Sequence, residues 1–446
     1  MTGENLSSTT AHWLPFTANR QFHKDPRVVV EARDCHYISQ DKREVFDSLS
    51  GLWCSGYGHN RAEITAAVSE QLATLDYAPA FQYTHPGATR LAERLSDLAP
   101  DDLNHVLFTN SGSECADTAL KLARAYWRIQ GQPSKTRFIG RIKGYHGVTF
   151  AGTSLGGSGA NRKLFGQLGD ADHLPHTLQP EYAFTRGQAE HGEELANHLE
   201  QLILLHDAST IAAVIIEPVS GSAGVIVPPQ NYLQRLRQIC NEHNILLIFD
   251  EVITGFARMG ATFAAQTFGV TPDILNVAKG LTNGAIPMGA VISSSVLYDA
   301  FMAVEQAEHM IELPHGYTYS AHPVACAADL AWGWPAQGPG GVADAEGAAA
   351  ATGLFNNRGQ RPRCRDGHGG PPAVLDGVVT AGVDHAIGVR GSWINLWALL
   401  SPWRPPWTCF WQEPFLRSAF SWPCLLYTSD AADEGLGVDL GGRRII

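Results

Sequence analysis

Lysine is scarce in this chain and stops early. After Lys163 the 446 residues contain a single lysine, Lys279, so a later site that needs an amine has one candidate. Basic residues form no cluster, and the formal net charge is −12. That balance argues against a nucleic-acid surface, which needs a basic stripe to meet phosphates. No run of about 18 apolar residues occurs, so no membrane span is expected. The opening MTGENLSSTT has no apolar stretch, so no signal peptide is expected either. The eight cysteines lack metal-ligand or CxxC spacing. They read as reduced, mostly buried thiols of a cytoplasmic protein. The length suits two or three domains and a large core.

What the chain does have is concentrated between Ile245 and Lys279. Ile245 to Phe249 is a continuous apolar run, which suits a strand buried on both faces in a parallel sheet. The run ends in Asp250 and Glu251, and open α/β sheets bind ligands at the C-terminal ends of their strands. An acid at a strand end and a lysine on a later loop suit a pyridoxal phosphate site, the acid on the ring nitrogen and the lysine on the aldehyde. From these two residues alone a second reading is equally open, in which Asp250 caps a turn and Lys279 is a solvated charge.

Other segments repeat the pattern. Ile211 to Ile216 is a second apolar strand tipped by an acid, Glu217. Val106 to Thr109 is a strand running through Asn110-Ser111-Gly112-Ser113-Glu114 into a helix expected over 115–130. A helix N-terminus of this kind favours phosphate through its N–H groups, with Ser111 and Ser113 as further donors, although Ser and Asn also cap ordinary helices. Thr136 to Gly140 is a strand before Gly144-Tyr145-His146-Gly147, whose aromatic can lie flat on a ring. A helix is expected over 62–75, and strands over 27–31, 36–39 and 291–294. Strands alternating with helices from about 51 to 300 give an α/β fold with a mainly parallel sheet.

Seven motifs in order, GLWCSGYGH, NSGSE, GYHG, EP, FDEVITGFARMG, AKG and YTYSAHPVACAA, together resemble the class III aminotransferases, and most the omega-amino acid:pyruvate (β-alanine:pyruvate) branch. The resemblance covers about residues 45–330. It implies a fold-type I pyridoxal phosphate enzyme acting on an amino donor and pyruvate by a ping-pong mechanism, as a homodimer or dimer of dimers. It implies Lys279 as Schiff-base lysine and proton shuttle, and Asp250 as partner of the pyridinium nitrogen. Val252 and Tyr145 would cover the two ring faces, and Gly112 and Ser113 would hold the phosphate. Thr318 would reach the phosphate of a neighbouring subunit, Trp53 would line the substrate pocket, and Glu217 would sit near the substrate. GABA-, diamine- and ornithine-type enzymes share these motifs, and a non-catalytic cofactor-binding remnant is the other alternative.

The expected divisions are an N-terminal segment 1–50, a cofactor-binding domain 51–330 and a tail 331–446. The tail has no lysine, eight of the eleven tryptophans, 18 glycines and 10 prolines, without helical or strand periodicity. It reads as coding sequence in a shifted frame, or as a low-complexity extension. Arg390, Arg404 and Arg417 lie in it outside any matching motif, so no arginine is assigned to the substrate carboxylate.

Overall fold

The computed structural model describes residues 11–331, apart from 168, 183–184 and 186. The tail and its arginines lie outside the described residues. The chain up to Leu49 belongs to one compact unit and a second begins at Ser50. The first holds an antiparallel ribbon of three strands, β1 (Val29–Arg33), β2 (His36–Ser39) and β3 (Glu44–Phe46). β2 has the expected bounds, β1 lies two residues later than the expected 27–31, and β3 extends the ribbon.

The second unit carries an eight-stranded sheet. Its members are β4 (Leu103–Thr109), β5 (Arg137–Ile142), β6 (Gly156–Gly157), β7 (Ala171–Leu174), β8 (Ile211–Ile216), β9 (Leu246–Asp250), β10 (Ile274–Val277) and β11 (Gly289–Ser294). The order is β4-β11-β10-β9-β8-β5-β6, with β7 also on β5. β5 to β10 run parallel, while β11 is antiparallel to both β10 and β4. The central strands β8 and β9 are buried at every residue, which is why they are apolar throughout rather than alternating.

Helices cover both faces. They include α1 (Ala62–Thr74), α2 (Pro86–Leu98), α3 (Gly112–Ile129), α4 (Tyr232–Glu242), α5 (Ser295–Met302) and α6 (Pro323–Ala331). On one face α3 and α5 pack Ala119, Ala123, Trp127 and Leu297 against Ala213, Ile215, Ile248 and Ile274. Trp127 Nε1 donates to Ala212 O at 2.7 Å, tying α3 to β8. On the other face α2 and α4 bring Leu91, Leu95, Leu236 and Ile239 to Val214, Leu247, Phe249 and Leu275. Among the described residues no helix is long and apolar enough to cross a membrane.

Candidate active site

Alternation along β8 and β9 decides which acids reach the site. Ile215 pairs with Ile248 and Ala213 with Leu246, and these four face α3. Two residues further on, Glu217 and Asp250 continue the same side. Glu251 continues the side of Leu247 and Phe249 instead. It is wholly buried and accepts from Ala264 N at 2.6 Å, Ala265 N at 2.7 Å and Thr254 Oγ1 at 2.9 Å. The sequence reading placed both acids at the ligand end of the sheet; the strand period sends only Asp250 there. Burial pushes the Glu251 carboxyl up to about 7, outweighing its three donors.

The loop after β5 gathers the strand ends. Tyr145 N donates to Glu217 Oε1 at 3.0 Å, and Gly221 N donates to Oε2 at 3.0 Å. His146 Nδ1 meets Asp250 Oδ2 at 2.8 Å, while Val252 N donates to Oδ1 at 3.2 Å. Gly147 has φ +92°, and a β-carbon there would run into the Ser113 side chain. Val148 N donates to Ser113 Oγ at 3.2 Å. Burial raises the Glu217 carboxyl and the Asp250 charge adds to that, while His146 opposes it.

α3 begins at Gly112, three residues before the expected start. Ser111 is its N-cap, accepting from Glu114 N at 3.2 Å, and Glu114 accepts from Asn110 N at 2.6 Å. Ser111, read as a possible phosphate donor, therefore closes the helix. Gly112 and Ser113 form its first turn. A β-carbon on Gly112 would lie 2.8 Å from Val252 Cγ1, so these two expected residues stand against each other.

Lys279 follows β10, in which Asn276 pairs with Asp250. It opens a short 3-10 turn, Lys279–Thr282, at φ 48°, a left-handed conformation that costs an L-residue about 1–2 kcal/mol. Around it lies a second strained segment. Ser50, Gly51, Leu52 and Trp53 all have positive φ, so the backbone makes a left-handed turn here. Arg258 donates to Trp53 O at 3.3 Å, Tyr57 OH donates to Phe256 O at 2.9 Å, and Asn283 Nδ2 donates to Gly58 O at 2.8 Å. These bonds fix the Trp53 segment beside the lysine loop. Thr318 stands apart, on an exposed loop where its carbonyl accepts from Tyr77 OH at 2.9 Å.

Four site-region residues carried no sequence signal of their own. His146 stands in the sequence only as one letter of GYHG, and its bond to Asp250 spans 104 residues. Arg258 reaches a partner 205 residues away. Arg141 is buried on β5 and donates to Glu217 O at 2.8 Å and Ser220 Oγ at 2.6 Å. Asn276 is wholly buried with neither side-chain atom partnered within the described residues.

The arrangement fits a phosphorylated pyridine aldehyde. A nearly buried carboxylate would suit the ring nitrogen, a lysine the aldehyde, and the N-terminus of an 18-residue helix the phosphate. Two buried polar groups there, His146 Nε2 and the Asn276 amide, have no partner among the described residues.

Comparison with known proteins agrees. Residues 17–332 match the Aminotransferase class-III family. The beta-alanine–pyruvate aminotransferase of Pseudomonas aeruginosa is 66% identical over 322 residues, 72% of each chain. The omega-amino acid–pyruvate aminotransferase of Pseudomonas putida is 61% identical over 323 residues, again 72% of each. Among solved structures, an amine transaminase from an uncultivated Pseudomonas species, in its PLP-bound internal aldimine form, aligns over 77% of each chain with a TM-score of 0.67 and 38% identity. With its sheet, its acid-tipped strands and this match over residues 17–332, the chain belongs to the class-III aminotransferase family.

Proposed function

We propose that this chain is a pyridoxal-phosphate-dependent transaminase that moves an amino group from an omega-amino acid, such as β-alanine, to pyruvate. The observation that carries the reading is that one loop ties Asp250, Glu217 and Ser113 together, with Lys279 at the end of the adjacent strand. The similarity to β-alanine and omega-amino acid enzymes at 61–66% identity exceeds the 40% to a putrescine–pyruvate enzyme and the 38% to GABA transaminases. That ordering favours the omega-amino acid reading over the diamine and GABA types.

When bound, the cofactor supplies an aldehyde that takes up the amine and a cationic ring that withdraws electrons from the donor carbon. Asp250 holds positive charge on the ring nitrogen, since an opposite charge within a few ångströms favours the protonated form. The N–H groups of Gly112 and Ser113 take the phosphate. Val252 and Tyr145 hold the ring from its two faces. Lys279 would move the proton between the donor carbon and the cofactor carbon, acting as general base and then acid. Trp53 walls the substrate pocket, and Glu217 faces the substrate from the neighbouring strand.

Thr318 serves the phosphate of a second copy, so the working unit is a homodimer or dimer of dimers. Support comes from the exposed aromatics of its surroundings, Tyr77, Phe81 and Tyr319, a patch of the kind that marks an interface. A cytoplasmic location is supported by the cysteines, which are free thiols at all five described positions.

The test is direct. The full chain with pyridoxal phosphate, β-alanine and pyruvate should form alanine, and borohydride should fix the cofactor to it. Lys279→Ala should lose both, with turnover down by about 10³-fold or more. Alanine formation from putrescine or GABA but not from β-alanine would overturn the substrate assignment. A borohydride-stable adduct in Lys279→Ala would overturn the lysine.

A further inference from the structure

We infer that Arg141, Tyr232, Thr177 and His176 enclose a site for a halide-sized inorganic anion, chloride in a cell, separate from the cofactor site.

Four buried polar atoms near one end of the sheet have no partner among the described residues. They are Arg141 Nη1, Tyr232 OH, Thr177 Oγ1 and His176 Nδ1. The topology gathers them. Arg141 on β5 pairs with Leu174 of β7, and His176 and Thr177 follow Leu174 by two and three residues. The Arg141 guanidinium lies over the Tyr232 ring, 5.7 Å from its centroid. Ile139 and Leu174 face the side of the sheet that α2 and α4 cover. Arg141 stands two residues past Ile139 and continues that side. The carboxylates of Glu217 and Asp250 continue the other.

Charge decides what the atoms await. The guanidinium is 2% exposed, and no carboxylate pairs with it among the described residues. Its Nη2 donates to two neutral acceptors, Glu217 O at 2.8 Å and Ser220 Oγ at 2.6 Å. The surroundings add to the positive charge. Burial holds the His176 imidazole below its usual range, and the cations of Lys143 and Arg141 push the same way. The Tyr232 ring and the Glu217 charge across the sheet offset part of the field. Burying a charge without a partner is costly. A water molecule satisfies hydrogen bonds but brings no counter-charge. Guanidinium, hydroxyl and an imidazole with its hydrogen on Nδ1 all donate, which is the donor set an anion needs. Each of the four atoms is shut off from solvent, so the occupant is small.

The experiment uses the full chain loaded with pyridoxal phosphate. Sodium chloride replaces sodium gluconate, whose anion is too bulky for the site, at constant ionic strength. The thermal midpoint should rise by at least about 2 °C between about 1 and 100 mM chloride. Tyr232→Phe keeps the ring and removes one donor, so half of the rise should need at least about threefold more chloride. Arg141→Met should lose the chloride dependence altogether. Crystals of the full chain soaked in sodium bromide should show an anomalous peak within hydrogen-bond reach of Arg141 Nη1. Equal midpoints in chloride and gluconate overturn the inference. An identical chloride response in the parent and Tyr232→Phe places the ion elsewhere and also overturns it. So does a soaked crystal with water and no anomalous signal at Nη1. Tyr232→Phe and the soaked parent crystal decide the matter even if Arg141→Met does not fold.

Discussion

Adjacent acids on a strand end have opposite fates, and Asp250 and Glu251 illustrate the consequence. Side-chain alternation allows one of the pair into the site and turns the other into the core. The sequence marks both, and only the pairing of β9 with its neighbours says which is which. Glu251 then makes stability depend on pH. Its folded carboxyl, at about 7, holds its proton more tightly than the unfolded chain, where an ordinary glutamate sits at about 4.3. Its contribution is fully present below the unfolded value and is lost as pH rises through about 7. The loss at neutral pH is on the order of 3 kcal/mol. Urea unfolding midpoints measured from pH 5 to 8 should fall in the parent and fall less in Glu251→Gln. Parallel curves for the two would show that Glu251 does not titrate in this range.

At the scale of elements, much was legible. Ile211–Ile216 was read as a strand with its observed bounds, and Ala62–Thr74 as a helix to within a residue, because apolar runs and helical spacing are local properties. The start of α3 was placed late because Gly112 and Ser113 read as loop residues, whereas Ser111 caps and the helix begins at once. The reversed direction of β11 was not legible. A strand buried on both faces has the same composition whichever way it runs. The contacts of His146 and Arg258 depend on chain crossings that no local pattern encodes. The GYHG loop offers a sharp test of an element's geometry. Gly147 combines positive φ with contact against Ser113, whereas Gly131 has φ +73° and open space around it. Gly147→Ala should destabilise by more than about 2 kcal/mol and weaken cofactor binding, while Gly131→Ala should cost only about 1 kcal/mol. Thermal unfolding of the two variants decides this, and equal losses would mean the Ser113 contact is irrelevant.

At the scale of the molecule, the site of one chain leaves Thr318 idle. Tyr77 and Tyr319 meet edge to face at 5.9 Å around it, with exposed Phe81 against Gly316. In the proposed dimer a second copy seated there would cover the aromatics and bring Thr318 to its phosphate. Thr318→Ala should therefore weaken pyridoxal phosphate binding about tenfold, the worth of one hydrogen bond to a charged group. The loss should appear only at protein concentrations where sedimentation detects a dimer. Identical affinity for parent and variant in the dimer would remove Thr318 from the site.

The pairing of β4 with β11 also sets a clock on synthesis. Val106 pairs with Ile292, so the strand that leads into the first turn of α3, the proposed phosphate seat, waits for a partner about 190 residues later. At about 5–20 residues per second, a ribosome takes roughly 10–40 s to deliver it. Through that interval the nascent chain carries β4 without its ladder and α3 without its final support. The cofactor therefore has no finished seat until the segment beyond Lys279 has emerged, which makes pyridoxal phosphate capture a late event in the life of each polypeptide.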